Sequence, residues 1–281
     1  MTARASAKTG ERIAIRAARS ADARAVRALC ARIWSDDYVA DAFAEWVRDR
    51  RGRLWLATVD GVVAGVAKLT LLGDREAWLH GLRVDPRFRR RGIATALATH
   101  RLDRARRLGA RTARLDTAED NVAIQRIARR LGFMRIARLT LFVAPARAGA
   151  EPRRAALADL AALWRLTREG DGLIHERYTA RRVQRADIAR AIRARRVFVS
   201  GAERPRALAL VLPHDGRLRV PHLAGRGRAV ADLLTGLRAV ARAQGLRGVA
   251  VRPERRHWRA AEAAGYRSPW DDSMFIFERR M

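Results

Sequence analysis

The run from Val84 to Leu97, VDPRFRRRGIATAL, constrains this chain more than any other stretch. It leaves a predicted strand, WLHGLRV, turns at Asp85-Pro86, crosses three consecutive arginines and enters a helix at Gly92. The first amides of a helix have no internal acceptors, and the helix dipole adds partial positive charge at that end. A strand, a basic turn and a helix mouth lined by small residues therefore form a place where backbone can grip a phosphate. Gly92 and Ala94 keep the approach open, because a large side chain there holds a diphosphate away from the amides.

The flanking pattern predicts an ordered series of elements. Ile13 to Ala17 alternates as a strand, and Ser20 or Asp22 caps a helix through Val26, Leu29 and Ile33. Val39, Phe43, Trp46 and Val47 recur at helical spacing. Leu54 to Val59, the turn Asp60-Gly61 and Val62 to Leu72 read as a hairpin, and Glu76 to Val84 as the next strand. The helix from Gly92 turns Ile93, Leu97, Leu102 and Leu108 toward a core and ends near Gly109. Thr112 to Leu115 is a strand, Asn121 to Leu131 a helix, and Phe133 to Val143 one long closing strand. The expected class is α/β (α+β), a mixed central sheet with helices on both faces.

Composition narrows the function classes. The net charge of +30 invites a nucleic-acid reading, but only Lys8 and Lys68 among the 59 basic residues are lysines. The arginines spread over nearly every helix, as an Arg- and Ala-rich coding bias produces, and interleaved aromatics are missing. Specific nucleic-acid binding is not expected; weak, salt-sensitive adhesion to polyanions is. No apolar run approaches the ~20 residues that cross a bilayer. The segment MTARASAKTGERI lacks a hydrophobic h-region and reads as a frayed tail, with a faint transit-peptide flavour as the alternative. Cys30 is the sole cysteine, which fits a reducing cytoplasm and a small core residue. No metal site is expected.

Arg89-x-x-Gly92-x-Ala94 resembles the Q/R-x-x-G-x-G/A signature of the GNAT superfamily of N-acetyltransferases. The preceding LRVDP resembles that family's fourth strand and turn, and Asn121 followed by Gly132-Phe133 its N-x(10)-G-F segment. The resemblance covers roughly residues 12 to 144. It implies an acyl-CoA N-acyltransferase fold and acetyl-CoA as co-substrate. Carried residue by residue, it assigns the backbone of Leu82, Arg83 and Val84 to the pantetheine arm and acetyl carbonyl. The amides of Arg90, Arg91, Gly92, Ile93, Ala94 and Thr95 go to the diphosphate. Arg89, Arg90 and Arg91 add charge-assisted bonds to phosphate, or are solvated turn residues. Asn121 binds the cofactor or orders its loop, and a plain N-cap is the competing reading.

Acetyl transfer to an amine needs a base, an oxyanion donor and a route for the leaving thiolate. Period two puts Glu76, Trp78, His80 and Leu82 on one strand face. Arylalkylamine-acetylating members carry a histidine at the position of His80; histone-acetylating members carry a glutamate where this chain has Trp78. His80 is therefore the first candidate base, against a histidine satisfied within the strand, and Glu76 the second, against an exposed strand-end carboxylate. Many members place a tyrosine acid seven residues after the Asn121 equivalent; this chain has Ala128 there. The acceptor pocket falls to Asp36, Asp37 and Tyr38, with helix capping as the alternative for either aspartate. The run DDYVADAFAEWV is faintly similar to the histidine N-acetyltransferase group, which points to an amino acid or small amine as acceptor.

A Pro/Ala/Gly connector, APARAGAEP at 144–152, separates a domain over 1–145 from a second over 150–281. Displaced by 136 residues, Leu82–Val84 falls on Leu218–Val220, Leu97 on Leu233, Gly109 on Gly245 and Leu115 on Val251; with three residues dropped, Gly132-Phe133 falls on Gly265-Tyr266 and Phe142 on Phe275. The second half reads as a duplicated, degenerate copy. Gly225 and Arg228 stand where the first has Arg89 and Gly92, so its phosphate chemistry is lost. It serves as a pocket wall, a subunit contact or packing alone.

The sequence-based expectation is an acetyl-CoA-dependent N-acetyltransferase acting by direct transfer to a primary amine of a small molecule or amino acid. A catalytically weak acyl-CoA-sensing module is the alternative, and a charge-driven nucleic-acid binder the more distant one. A homodimer stays open.

Overall fold

The computed structural model describes residues 3–5, 12–73, 75–170, 172–176, 179–269 and 273–281. Of the N-terminal tail, residues 3–5 form a strand paired with Ile13–Ile15, against the reading of a frayed end; residues 1–2 and 6–11 lie outside the described residues. The chain divides into two units that are not consecutive blocks. The first is Met1–Asp116, Asn121–Met134 and Phe277–Met281; the second is Thr117–Asp120 and Arg135–Ile276. This differs from a cut in the 144–152 connector: Thr117–Asp120 and the chain from Arg135 onward join the second unit, and Phe277–Met281 joins the first.

The first unit opens with strand β1 (Ala3–Ala5) and β2 (Ile13–Ala17), then helices α1 (Ala23–Ala31) and α2 (Tyr38–Arg48). Strands β3 (Gly52–Val59), β4 (Val62–Leu72) and β5 (Glu76–Val84) follow, then helix α3 (Ile93–Arg107), strand β6 (Thr112–Ala118) and helix α4 (Val122–Arg130). Strands β1 to β6 run in that order across one sheet. Pairing is antiparallel down to β5, and β5 with β6 is parallel, so the sheet is mixed.

Alternation sorts the core onto two faces. Leu54, Leu56 and Val66 pack with Val26, Leu29, Val39, Phe43 and Trp46 under α1 and α2. Ala57, Val59, Ala64 and Ala67 pack with Ile93 and Leu97 of α3 on the other face. Each fully buried Leu or Val contributes roughly 1.5–3 kcal/mol, which outweighs the modest helix propensity of an Arg-rich helix such as α3. Leu108 departs from expectation. It lies just past α3 and is 43% exposed, since the helix has ended before that turn reaches the sheet.

The chain continues as β7 (Met134–Thr140), β8 (Phe142–Pro145), β9 (Arg153–Arg154) and α5 (Leu160–Arg168). Then come β10 (Leu173–Glu176), β11 (Thr179–Arg182), α6 (Arg185–Arg193), β12 (Val197–Ser200), β13 (Ala207–His214) and β14 (Arg217–Gly225). Helix α7 (Gly227–Ala243), β15 (Gly248–Val251), α8 (Trp258–Ala263) and β16 (Ser273–Arg280) complete it. The order from β9 repeats the β-α-α-β-β-β-α-β-α-β series, with the β10–β11 hairpin added. The second unit's main sheet runs β8-β15-β14-β13-β12-β9.

The predicted single strand Phe133–Val143 is two. β8 pairs antiparallel with β15, Phe142 opposite Val251, while β7 lies beside β16, where Thr140 and Ser273 share a 2.6 Å hydroxyl hydrogen bond. Both pieces read as continuous strand; the break reflects their different partners. β8 also absorbs the first two residues of the predicted connector.

The internal repeat holds in the helices and shifts in the strands. Leu97 and Leu233 are both fully buried, and Gly109, Gly132, Gly245 and Gly265 all follow helices with positive φ. The matching LRV triplets do not correspond. In β5 the triplet ends past a register shift, at Val66↔Arg83; in β14 it begins before one, at Leu212↔Arg219 and Leu210↔His222. Arg228 is the second residue of α7, which begins at Gly227 directly after β14 and Arg226, so it stands two places past the N-cap position that Gly92 holds in α3. The second unit lacks a phosphate turn because the whole connection is short, not because an arginine fills it.

Candidate active site

The turn after β5 is built from buried charge outward. The Asp85 carboxylate is fully buried and accepts from the Arg87 amide at 3.0 Å and from Arg87 and Arg32 guanidinium groups at 2.9 and 2.7 Å. Burial opposes ionisation there, but the hydrogen bonds from Arg87 and then Arg32 outweigh it and hold the pKa at about 2. That anchor starts the 3-10 turn Pro86–Phe88.

Arg90 and Gly92 then take left-handed conformations, with φ of 63° and 78°. Gly92 is the N-cap of α3, and a Cβ added to it meets nothing within 4 Å. The first intrahelical bond runs from the Ala96 amide to the Gly92 carbonyl. The amides of Ile93, Ala94 and Thr95 therefore lack helical acceptors beside an open surface. Arg89, Arg90 and Arg91 are exposed, and Arg91 lies over the Phe88 ring at 5.4 Å. Alternating left- and right-handed backbone at a helix mouth makes an anion cradle, and this one fits a diphosphate.

Upstream, β5 carries a bulge. Lys68↔His80 and Val66↔Arg83 leave Ala67 facing both Gly81 and Leu82. Gly81 has φ 61°, and a Cβ on it would come 2.6 Å from the Trp46 ring. The bulge overturns one expectation. Glu76, Trp78 and His80 share a face, but Leu82 crosses to pack with the α3 cluster, and Arg83 takes the α2 side. One inserted residue inverts the alternation for the rest of the strand.

The parallel ladder of β5 and β6 covers Glu76↔Thr112, Ala77↔Ala113 and Trp78↔Arg114, and stops. Among the described residues, Leu79 to Val84 have no further rung on β6. Leu82, Arg83 and Val84 thus lie half-buried on an unladdered edge that leads to the turn. A gap between two splayed strands, ending at an anion cradle, suits an extended polar arm attached to a diphosphate.

His80 is buried against Trp46, ring centroids 4.7 Å apart and edge-on. Its Nε2 lies 3.1 Å from Thr70 Oγ1, and its Nδ1 is buried without a hydrogen-bond partner. Burial, then nearby Lys68 and Arg101, push its pKa well below the usual histidine value. The low pKa favours the neutral ring. Lys68 Nζ is itself buried, donating to the Trp46 carbonyl at 3.0 Å and to Asp49 at 2.7 Å. Arg101 donates to the carbonyls of Lys68 and His80 at 3.0 and 3.1 Å, bracing the strand pair beside the bulge. Sequence reasoning missed these two cations; an isolated Lys in VAKLTL and an Arg on the apolar stripe of α3 were the available signals.

The other candidates divide. Glu76 is neither exposed nor free, as its carboxylate bonds Arg114 at 2.8 Å. Asn121 caps α4 through its side chain, accepting from the Ile124 amide at 3.2 Å. Ala128 is fully buried and offers no acid. Asp37 caps α2 and grips Arg83 with both oxygens. Asp36 is exposed in the same loop. Tyr38 lies edge-on to Trp46, with the Arg83 guanidinium 5.2 Å over its ring, and burial pushes its pKa up to about 12. Arg83 also lies 4.6 Å over the half-exposed Trp34 ring. The Cys30 thiol is buried, with a pKa raised to about 12 chiefly by burial, so it is a core group and no nucleophile.

The model of the Acetyltransferase (GNAT) family matches residues 19–133. A GCN5-related N-acetyltransferase from Sphaerobacter thermophilus is similar in structure, with a TM-score of 0.66 at 15% identity over 95% of each chain. The glucosamine N-acetyltransferase region of a fungal multi-domain β-N-acetylglucosaminidase gives 0.67 at 13% identity, over 98% of this chain and 39% of that one. A GCN5-related N-acetyltransferase from Kribbella flavida gives 0.50 at 19% identity, over 95% of this chain and 72% of that one. At such identities the likeness is one of fold. No curated protein sequence matches the chain. No helix among the described residues is long and apolar enough to cross a membrane. Residues 19–133 thus match the Acetyltransferase (GNAT) family, a family whose acyl donor is acetyl-CoA.

Proposed function

We propose that the chain transfers an acetyl group from acetyl-CoA to the primary amine of a small molecule or amino acid, by direct attack in a ternary complex. The observation that carries this reading is the open row of amides at Ile93–Thr95, set behind the left-handed Arg90 and Gly92 at the end of an unladdered strand. Those amides and Arg89–Arg91 hold the diphosphate. The backbone of Leu82–Val84 holds the pantetheine arm and donates to the thioester oxygen as negative charge develops on it.

The amine nitrogen bonds to the acetyl carbon and the C–S bond breaks. The proton lost by the amine passes to His80, directly or through water, because His80 is the buried neutral imidazole on this strand. With Ala128 at the family's acid position, Tyr38 is the protonated hydroxyl beside Arg83 that can return a proton to the thiolate. Glu76, tied to Arg114, is left out of the proton path. Asp36, exposed near Trp34, draws the acceptor ammonium.

Two measurements test this. Acetyl-CoA is expected to raise the melting temperature, since a ligand of the folded state stabilises it by mass action. A screen of amino acids and small amines for thiol release from acetyl-CoA is expected to find an acceptor. No thermal shift at millimolar acetyl-CoA would overturn the reading. Binding without thiol release for any amine would favour the acyl-CoA-sensing alternative.

A further inference from the structure

The last rung between β5 and β6 is Trp78↔Arg114. Arg114 is 3% exposed, and its guanidinium sits between two carboxylates. Nη1 donates to Glu76 of β5 at 2.8 Å, and Nε donates to Glu278 of β16 at 2.7 Å. Glu278 lies 164 positions along the chain, yet belongs to the first unit. The Met281 amide bonds the Arg111 carbonyl at 2.9 Å, so counting inward along both strands puts Glu278 opposite Arg114. One buried cation thus ties three neighbouring strands at the level where the parallel ladder ends.

A ladder that opens partway along is free to unzip further when a ligand wedges it. What stops it must resist separation of β5 from β6 at the final rung. Hydrophobic contact resists this weakly, because it has no direction. Two charge-assisted hydrogen bonds on one buried guanidinium do so strongly, since losing either carboxylate leaves a buried guanidinium N–H without its acceptor. We infer that Glu76, Arg114 and Glu278 form the stop that fixes where the β5/β6 gap begins, and so seat the pantetheine arm of acetyl-CoA at its proper depth. The inference rests on the reading that this gap takes acetyl-CoA. Glu278 and Arg114 are positioning residues, acting through the strands. The final segment of the chain, after the whole second half, thereby completes the first unit's site.

The test is isothermal titration of the full-length protein and its Glu278→Ala variant with two probes. One is acetyl-CoA; the other is adenosine 3′-phosphate 5′-diphosphate, which keeps the diphosphate and lacks pantetheine. Loss of the stop is expected to weaken acetyl-CoA about tenfold. The nucleotide fragment, held only by the Arg89–Thr95 turn, is expected to bind as before. Glu278→Gln keeps the shape and an acceptor, and is expected to fall between wild type and Glu278→Ala. It carries the test alone if Glu278→Ala does not fold. Unchanged acetyl-CoA affinity, or equal weakening of both probes, overturns the inference. Failure of the wild-type protein to bind either probe overturns instead the acetyl-CoA reading beneath it.

Discussion

Asp37 and Arg83 meet through two hydrogen bonds, 2.7 Å from Nε and 3.0 Å from Nη2, with the carboxylate almost wholly buried. The same carboxylate caps α2 at the Val39 amide. This joins the start of α2 to β5 just past its bulge. Asp37 is thereby occupied, and its neighbour Asp36 is not buried.

Asp37→Ala is expected to cost stability before it costs substrate affinity. Removing one partner of a buried ion pair costs about 3–5 kcal/mol, and the lost helix cap about 1 more. Asp36→Ala is expected to change stability by less than about 0.5 kcal/mol and to raise the KM for the amine. Chemical denaturation of both variants checks this. An Asp37→Ala protein as stable as wild type would mean that the pair contributes nothing.

Gly92 has two duties that separate experimentally. At φ 78° a side chain is strained, so Gly92→Ala is expected to lose roughly 1 kcal/mol or more of stability. The space around it is open, so no clash adds to that. Gly92→Arg places a long side chain across the amides and is expected to abolish acetyl-CoA binding. Calorimetry showing unchanged affinity in Gly92→Arg would remove the turn as the phosphate site.

His80→Ala is expected to lower kcat by roughly 10² to 10⁴ if the imidazole takes the amine proton. Its lowered pKa makes a further point. A base must be neutral to act, so the acid limb of kcat/KM for the free enzyme is expected below pH 6.5, and activity stays level as pH falls from 8 to that value. A limb centred above 7, or a loss below about threefold, would assign the proton to another group.

The second unit supplies a pH dependence of stability. His222 is buried and His175 half-buried with its Nε2 out of reach of solvent, and desolvation first of all drives both pKa values down to about 4. His222 is held neutral between the Leu173 carbonyl at 2.8 Å and Thr167 Oγ1 at 3.2 Å. The unfolded chain protonates these rings near pH 6.5, the folded chain only near 4. Stability is therefore full above about pH 6.5 and falls as pH drops toward 4, by up to about 3 kcal/mol for each ring. Urea midpoints of wild type and His222→Gln between pH 7.5 and 4.5 check this; equal slopes would exclude His222.

Much of this was legible beforehand, for a physical reason. Strand alternation, helical spacing, the hairpin turn and the Arg-rich run into Gly92 depend on neighbours a few residues away. Backbone geometry answers to those neighbours directly, so the first unit's element order and its Arg-rich turn into α3 follow from the sequence itself. Asn121 as a helix cap and Cys30 as a core residue belong to the same local logic.

The rest was decided by which strands became neighbours. The bulge at Gly81–Leu82 depends on Trp46 lying over a backbone with no Cβ, and it alone sends Arg83 toward Asp37. β7 and β8 look like one strand, because strand propensity carries no information about partners. Glu76 looks like an exposed carboxylate until Arg114 and Glu278 are brought to it from β6 and the chain terminus. Periodicity reports the face of a single element; pairing across more than a hundred residues is set by packing and charge that exist only once the sheet has formed.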